Sequence, residues 1–134
     1  MPKKIIETPL LHRPLGAYSH ATEGVGSRVV FISGQAPLDE SGRFVGPGDM
    51  SVQVGQVLKN LGAALDGAGA GPGDVCKITI FVAAAATDLP DGLAALRKGL
   101  AEFFGDEPPA SSLAYVSRLV SPDWLLEIEA VAVL

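Results

Sequence analysis

Cysteine and histidine are scarce in this sequence. Cys76 is the only cysteine among 134 residues, so the chain can form no internal disulfide and no cysteine-based zinc site. The two histidines, His12 and His20, are separated along the chain, and no predicted helix carries acids at the spacing of metal ligands. The sequence therefore predicts no metal site.

Basic residues and long apolar segments are also few. Ten Lys and Arg stand against fifteen Asp and Glu, and the net charge of −5 disfavours nucleic acid and anionic membranes as partners. The longest apolar run, Ile78 to Ala86 with one threonine, is too short to span a bilayer. Near the N-terminus, Lys3 and Lys4 are soon followed by Glu7, so no signal-peptide core forms. We expect a cytoplasmic protein with no nucleic-acid and no membrane partner.

The chain has the pattern of a single α+β domain spanning residues 1–134. Two segments carry apolar residues at helical spacing. The first helix begins at Met50 behind an Asp49 N-cap, and the second is capped by Thr87 or Asp88. Strands are predicted at Lys4–Thr8, after Leu15–His20, and at Arg28–Ser33, Val75–Val82, Ser111–Val116 and Trp124–Leu134.

Turn residues indicate how these strands are connected. Gly24–Ser27 predicts a hairpin between the second and third strands, and Ser121–Asp123 predicts an antiparallel pairing of the last two. The apolar run of Val75–Val82 is typical of a strand in the middle of a sheet. Two helices cover one face of such a sheet, and the other face is too apolar to remain exposed to water. We expect further copies of the chain to bury that face.

Two acids interrupt the last predicted strand. Glu127 and Glu129 lie two residues apart in an otherwise apolar segment, so both side chains point to the same face. A carboxylate in such surroundings is unfavourable unless it is solvated, paired or used in chemistry. Two interpretations stay open from these residues alone: an edge strand with its acids in water, or a functional site.

Several motifs follow one another along nearly the whole chain. They are Leu15–Tyr18, Ile32–Gln35, Gln53 with Leu58 and Asn60, Gly73–Val75, and Glu127–Ala132. This ordered set resembles the Rid (reactive intermediate deaminase) family, also called YjgF. The resemblance implies a chorismate-mutase-like fold, a homotrimer, and a small-molecule ligand in clefts between neighbouring subunits. It further implies hydrolysis of reactive enamines and imines to keto acids and ammonia, with no metal or cofactor.

The resemblance also implies site residues. Tyr18 matches the cleft tyrosine of the family, and Ser33 and Gly34 match a Ser-Gly pair whose backbone holds the substrate. Glu127 matches the first glutamate of the terminal motif and is the candidate for orienting water or moving protons. Glu129 is interpreted as structural or as facing an interface between subunits.

One position departs from the family pattern. Deaminating members carry an arginine that binds the substrate carboxylate, and Ser111 occupies its place here. Leu113, two residues further on, makes the expected cleft more apolar. Arg97 on the second helix is the better substitute cation, because the offset of Arg118 points it to the other side of the strand. The other interpretation of Arg97 is a solvated helix face beside Lys98.

Three functions are compatible with these residues. The first is an enamine or imine hydrolase whose substrate anchoring is atypical. The second is a non-catalytic trimeric protein that binds a small molecule. The third is an endoribonuclease, a label that some family members carry, and the acidic composition disfavours it.

Overall fold

The structure is a computed structural model that describes residues 3–134. Four strands form one mixed sheet and two short strands form a separate ribbon. Two 3₁₀ turns, Pro72–Asp74 and Ala84–Asp88, flank the fourth strand. In chain order the elements are β1 Lys4–Ile6, β2 Ala21–Glu23, β3 Val29–Gln35, α1 Met50–Gly67, β4 Val75–Ala83, α2 Gly92–Phe104, β5 Ala110–Val116 and β6 Leu126–Val133.

Both helices pack on one face of the four-stranded sheet, as predicted. The helix α1 begins where expected, because the Asp49 carboxylate accepts a hydrogen bond from the Val52 amide at 3.1 Å. Its apolar stripe and that of α2 meet the inward side chains of β3, β4 and β6 in one core. The prediction of an α+β domain with two helices on a mixed sheet is confirmed. No helix within residues 3–134 is long and apolar enough to cross a bilayer.

A buried glutamine fixes the start of α1 to two loops. Gln53 is fully buried, and its side-chain amide donates to the carbonyl oxygens of Gly46 at 2.9 Å and Asp123 at 3.2 Å. Its side-chain oxygen accepts a hydrogen bond from the Leu125 amide at 2.8 Å. Every polar atom of this side chain is therefore paired, which is what burial of an amide requires.

The predicted antiparallel pairing of the last two strands is wrong. The sheet order is β3-β6-β4-β5, so β6 lies between β3 and β4, and β5 pairs in parallel with β4 at the edge. The burial of alternate residues explains the central place of β6, since Leu126, Ile128 and Ala132 are fully buried. The interpretation of Glu127 and Glu129 as acids on an edge strand is therefore also wrong, because β6 is a central strand. Glu127 and Glu129 do share a face, the one opposite the helices.

The predicted hairpin between the second and third strands is also wrong. Residues Ser27 and Arg28 pair through their backbone with Leu134, so the chain crosses the end of β6 instead of folding back. Gly24 permits this path, because a Cβ there would lie 2.7 Å from a methyl group of Val133. The strand β2 pairs with β1, and the Thr22 hydroxyl donates to the Cys76 carbonyl oxygen at 2.6 Å.

The second helix begins later than predicted. Thr87 and Asp88 belong to a 3₁₀ turn, where the Thr87 hydroxyl donates to the Ala84 carbonyl oxygen at 2.6 Å. The helix α2 starts at Gly92, after Asp91 in a left-handed conformation with φ 60°. Pro90 therefore precedes the helix. One side of α2 faces β5, and a cavity lies between them.

Candidate active site

The side chains of Ser111, Leu113 and Tyr115 form a row on β5 that faces α2. In the parallel register, Ser111 lies beside Ile78 and Leu113 beside Ile80, and both isoleucines are buried under the helices. Neighbours in register point to the same face of a sheet. The edge strand thus presents three side chains to the helical layer without another strand to cover them.

A cavity of about 380 Å³ lies between this row and α2. Four of the residues predicted from the sequence, Tyr18, Arg97, Ser111 and Leu113, line it together. Three leucines of α2 form part of the remaining wall, and Arg97 is the one charged residue among those that line the cavity within residues 3–134. Arg97 itself is exposed. The arrangement offers one cation and three hydroxyl-bearing side chains, Tyr18, Ser111 and Tyr115, beside apolar side chains, which suits a small organic anion.

Tyr18 is held beside the start of β5 by its neighbour. Ser19 is 5% exposed, and its hydroxyl donates to the Pro108 carbonyl oxygen at 2.5 Å. The Ser19 amide donates to the Pro109 carbonyl oxygen at 3.0 Å. The Tyr18 hydroxyl accepts a hydrogen bond from the Leu15 amide at 3.2 Å. No sequence motif points to Ser19, because its buried position beside Pro108 and Pro109 follows only from the tertiary contact.

His20 packs edge-on against the Tyr18 ring. The ring centroids are 5.6 Å apart, and the His20 Nε2 lies 2.6 Å from the His12 carbonyl oxygen. Because a carbonyl oxygen only accepts, that nitrogen carries the hydrogen. His20 contacts the tyrosine ring but does not line the cavity.

The second group of predicted residues, Ser33, Gly34 and Glu127, lies on the opposite face of the sheet. The register of β3 and β6 shifts between Ile32 and Gln35, so the Ser33–Gly34 peptide bulges beside Glu127. A Cβ on Gly34 would lie 2.7 Å from the Glu127 Cδ. Only glycine allows the carboxylate to approach the backbone this closely.

The sheet separates the two groups within one chain. Glu127 pairs in register with Phe81, and Phe81 lies beside Ala114, whereas Leu113 points to the helical side. Successive residues of a strand alternate between faces, so Glu127 and the Tyr18 cavity are on different sides. The structure thus collects four predicted site residues in one place and three in another.

Arg118 does not reach either group. It lies beyond the end of β5, and its guanidinium donates to the carbonyl oxygens of Leu119 at 3.0 Å and Val120 at 2.7 Å. Tyr115 was missed by the sequence analysis, although its spacing of two from Leu113 places it in the same row. Within residues 3–134, no three His, Cys, Asp or Glu side chains come together as a metal-binding group.

Comparison with known proteins assigns the family. A family model described as "Endoribonuclease L-PSP" matches residues 10–134. A RutC family protein of Pyrococcus abyssi is 39% identical over 133 residues, which is 98% of each chain. The chain belongs to the Rid family. The Rid chain is also 38% identical to the 3-aminoacrylate deaminase RutC of Acinetobacter baylyi, over 98% of each chain.

Two further relatives of this Rid chain extend the comparison. A 2-iminobutanoate/2-iminopropanoate deaminase of Dermatophagoides farinae is 33% identical over 99% of this chain and 98% of the relative. The crystal structure of the Rid protein YyfB from Yersinia pestis superposes with a TM-score of 0.91 at 34% identity, and the alignment covers all of both chains. The fold described above is therefore the fold of the family, in which deaminases of imines and enamines occur.

Proposed function

We propose that this Rid protein hydrolyses a small enamine or imine that carries a carboxylate. The observation that carries the proposal is the cavity in which Arg97, Ser111 and Tyr18 converge beside an apolar wall. The names of two relatives, one a deaminase of 3-aminoacrylate and one of 2-imino acids, support this class of substrate.

Arg97 and Ser111 anchor the substrate carboxylate in this proposal. A guanidinium can bind both carboxylate oxygens, and the Ser111 hydroxyl can donate a third hydrogen bond. Arg97 reaches the cavity from α2, whereas the arginine that the family pattern expects would come from β5 at position 111. The anchoring is therefore atypical in origin but supplies the same charge.

Glu127 moves the protons of the reaction. The oxygen of water bonds to the imine carbon, and one water proton passes to the nitrogen. The carbon–nitrogen bond then breaks as the carbonyl forms, and the second proton leaves with ammonia. A half-buried carboxylate such as Glu127 can accept and return these protons, while Gly34 and Ser33 offer backbone groups beside it.

A second copy of the chain supplies Glu127 to the cavity in this proposal. The sheet separates the two groups within one chain, so a complete site needs two chains. The face that carries Glu127 also exposes apolar side chains, with Phe31 79% and Val29 55% exposed. Burial of such a face between copies is favourable, and a closed homotrimer would repeat the same composite cleft at each interface.

Hydrolysis of imines that are generated within the assay mixture tests the proposal. An L-amino-acid oxidase generates the imine from L-alanine or L-leucine, and semicarbazide competes for it. We expect the protein to shorten the lifetime of the imine, and Glu127→Gln to slow turnover by about 10²- to 10⁴-fold. Glu129→Gln is the matched control, because this acid lies on the same face two residues away, and it should leave turnover unchanged.

Two outcomes would contradict the proposal. If the wild type leaves the lifetime of every imine unchanged but binds 2-oxo acids, the protein is a binder without turnover. If Glu129→Gln lowers turnover as much as Glu127→Gln, turnover depends on the negative charge of this sheet face and not on the position of the Glu127 carboxylate.

A further inference from the structure

The cavity is larger and more apolar than the smallest imino acids need. Its volume of about 380 Å³ falls within the range of about 300–1,000 Å³ that holds drug-sized ligands, well above the size of 2-iminopropionate. Leu93 is 38% exposed and Leu113 is 42% exposed, and both line this cavity, as does Tyr115. The carboxylate-binding groups occupy part of the wall, and apolar side chains form the rest.

We propose that the preferred substrates are 2-imino acids, or their enamine tautomers, whose side chain is branched aliphatic or aromatic. This inference rests on the proposed function. The carboxylate binds Arg97 and Ser111, and the substrate side chain lies against Leu93, Leu113 and Tyr115. Leu113 determines the specificity, because it projects into the cavity two residues from Ser111 on the same row.

The size of the preference follows from the apolar surface that is buried. An isobutyl side chain has three more carbons than a methyl side chain, and burial of each carbon is worth about fourfold in binding. Full burial gives a preference of about 60-fold for the leucine-derived imine over the alanine-derived imine. The cavity is partly open, so we expect about 10- to 60-fold in kcat/KM.

Two measurements on the whole protein test this inference. The first compares kcat/KM for the imines of leucine and alanine. The second compares the calorimetric affinities of 4-methyl-2-oxopentanoate and pyruvate, which are stable analogues of the same acids. Leu113→Asn keeps the size of the side chain but makes it polar, and we expect it to reduce both preferences at least fivefold.

Three control variants separate specificity from folding and from charge. Val120→Asn changes an exposed apolar residue outside the cavity and should leave both preferences unchanged. Arg97→Ala should lower the affinity for both oxo acids by the same factor, because each acid has one carboxylate. Lys98→Ala removes the adjacent cation, which lies on the side of α2 that faces α1, and it should leave the affinity for both oxo acids unchanged. Leu93→Asn repeats the specificity test if Leu113→Asn fails to fold.

The outcomes distinguish this inference from the proposed function. Preferential binding of 4-methyl-2-oxopentanoate without hydrolysis of any imine would overturn the function and would leave only the preference of the cavity for acids with a branched side chain. Equal kcat/KM for both imines, with equal affinities for the two oxo acids, would overturn the substrate class and support the function. If neither oxo acid binds and Leu113→Asn alters only the sedimentation of the protein, the cavity is an interface between copies and the inference is wrong.

Discussion

The contact between Gly34 and Glu127 gives a sharp test of the site. In Gly34→Ala, the new methyl carbon would lie 2.7 Å from the Glu127 Cδ and 2.9 Å from its Cγ. Carbon atoms that are not bonded pack at about 3.5–4.0 Å, so the carboxylate must move by about 1 Å. The backbone at Gly34 does not have the positive φ that would exclude alanine.

The expected free energies follow from this geometry. Rotation of Glu127 away from its preferred conformation costs about 0.5–1.5 kcal/mol. Replacement of glycine by alanine stabilises the folded state by about 0.4–1 kcal/mol where no clash occurs. The two effects nearly cancel in the single variant. In a Glu127→Ala background the clash is absent, so Gly34→Ala should raise the free energy of unfolding by about 0.4–1 kcal/mol.

Denaturant unfolding and turnover measure the two parts of this prediction. Gly34→Ala should lower imine hydrolysis by up to about 100-fold, because a displacement of 1 Å misplaces the proton-transferring group. Gly55→Ala is the control: it lies within α1 with no contact within 4 Å, and it should stabilise both backgrounds equally without a change in turnover. If Gly34→Ala changes stability equally in both backgrounds, the contact with Glu127 does not matter and the reasoning fails.

Three further predictions concern the anchor, the core and the thiol. Arg97→Ala should nearly abolish hydrolysis of 2-iminopropionate, and Ser111→Arg in that background should raise it by about 10- to 150-fold, because the new guanidinium pairs with the carboxylate in place of Arg97; a folded double variant with no gain would contradict the anchoring. Gln53→Leu should lower the free energy of unfolding by about 1–3 kcal/mol, since the buried Leu125 amide loses its partner together with the carbonyl groups of Gly46 and Asp123, whereas a smaller loss would mean that water replaces the glutamine. Burial raises the pKa of the Cys76 thiol, so iodoacetamide at pH 8 should alkylate the folded protein more slowly than the denatured chain, and equal rates would refute the burial.

Much of the fold could be predicted from local patterns. Apolar residues at helical spacing and the Asp49 cap are properties of neighbouring residues, so the start and the buried face of α1 were correct. Side chains alternate between the two faces of a strand, which is also a local property, so the prediction that Glu127 and Glu129 share a face was correct. The start of α2 was not predictable, because Thr87 and Asp88 have the residue types of a helix N-terminus but lie within a 3₁₀ turn.

Strand pairing could not be predicted because it depends on distant parts of the chain. The turn at Ser121–Asp123 is real, yet β5 pairs with β4 in parallel, since β6 is apolar enough to occupy the centre of the sheet. This pairing decides which face Ser111 and Leu113 occupy, and hence that they meet Tyr18 and Arg97. The sequence motifs identified these residues as candidates, but only the strand order of the sheet shows that they and Glu127 lie on opposite faces.

Complementation between two variants tests most directly that the site is an imine hydrolase built from two chains. Arg97→Ala and Glu127→Gln should each be nearly inactive alone. When they are co-expressed and assemble at random, about a quarter of the clefts should combine an intact Arg97 with an intact Glu127 from the neighbouring copy. We therefore predict recovery of about a quarter of the wild-type rate of imine hydrolysis. A mixture that assembles but remains as inactive as its two parents would contradict the account.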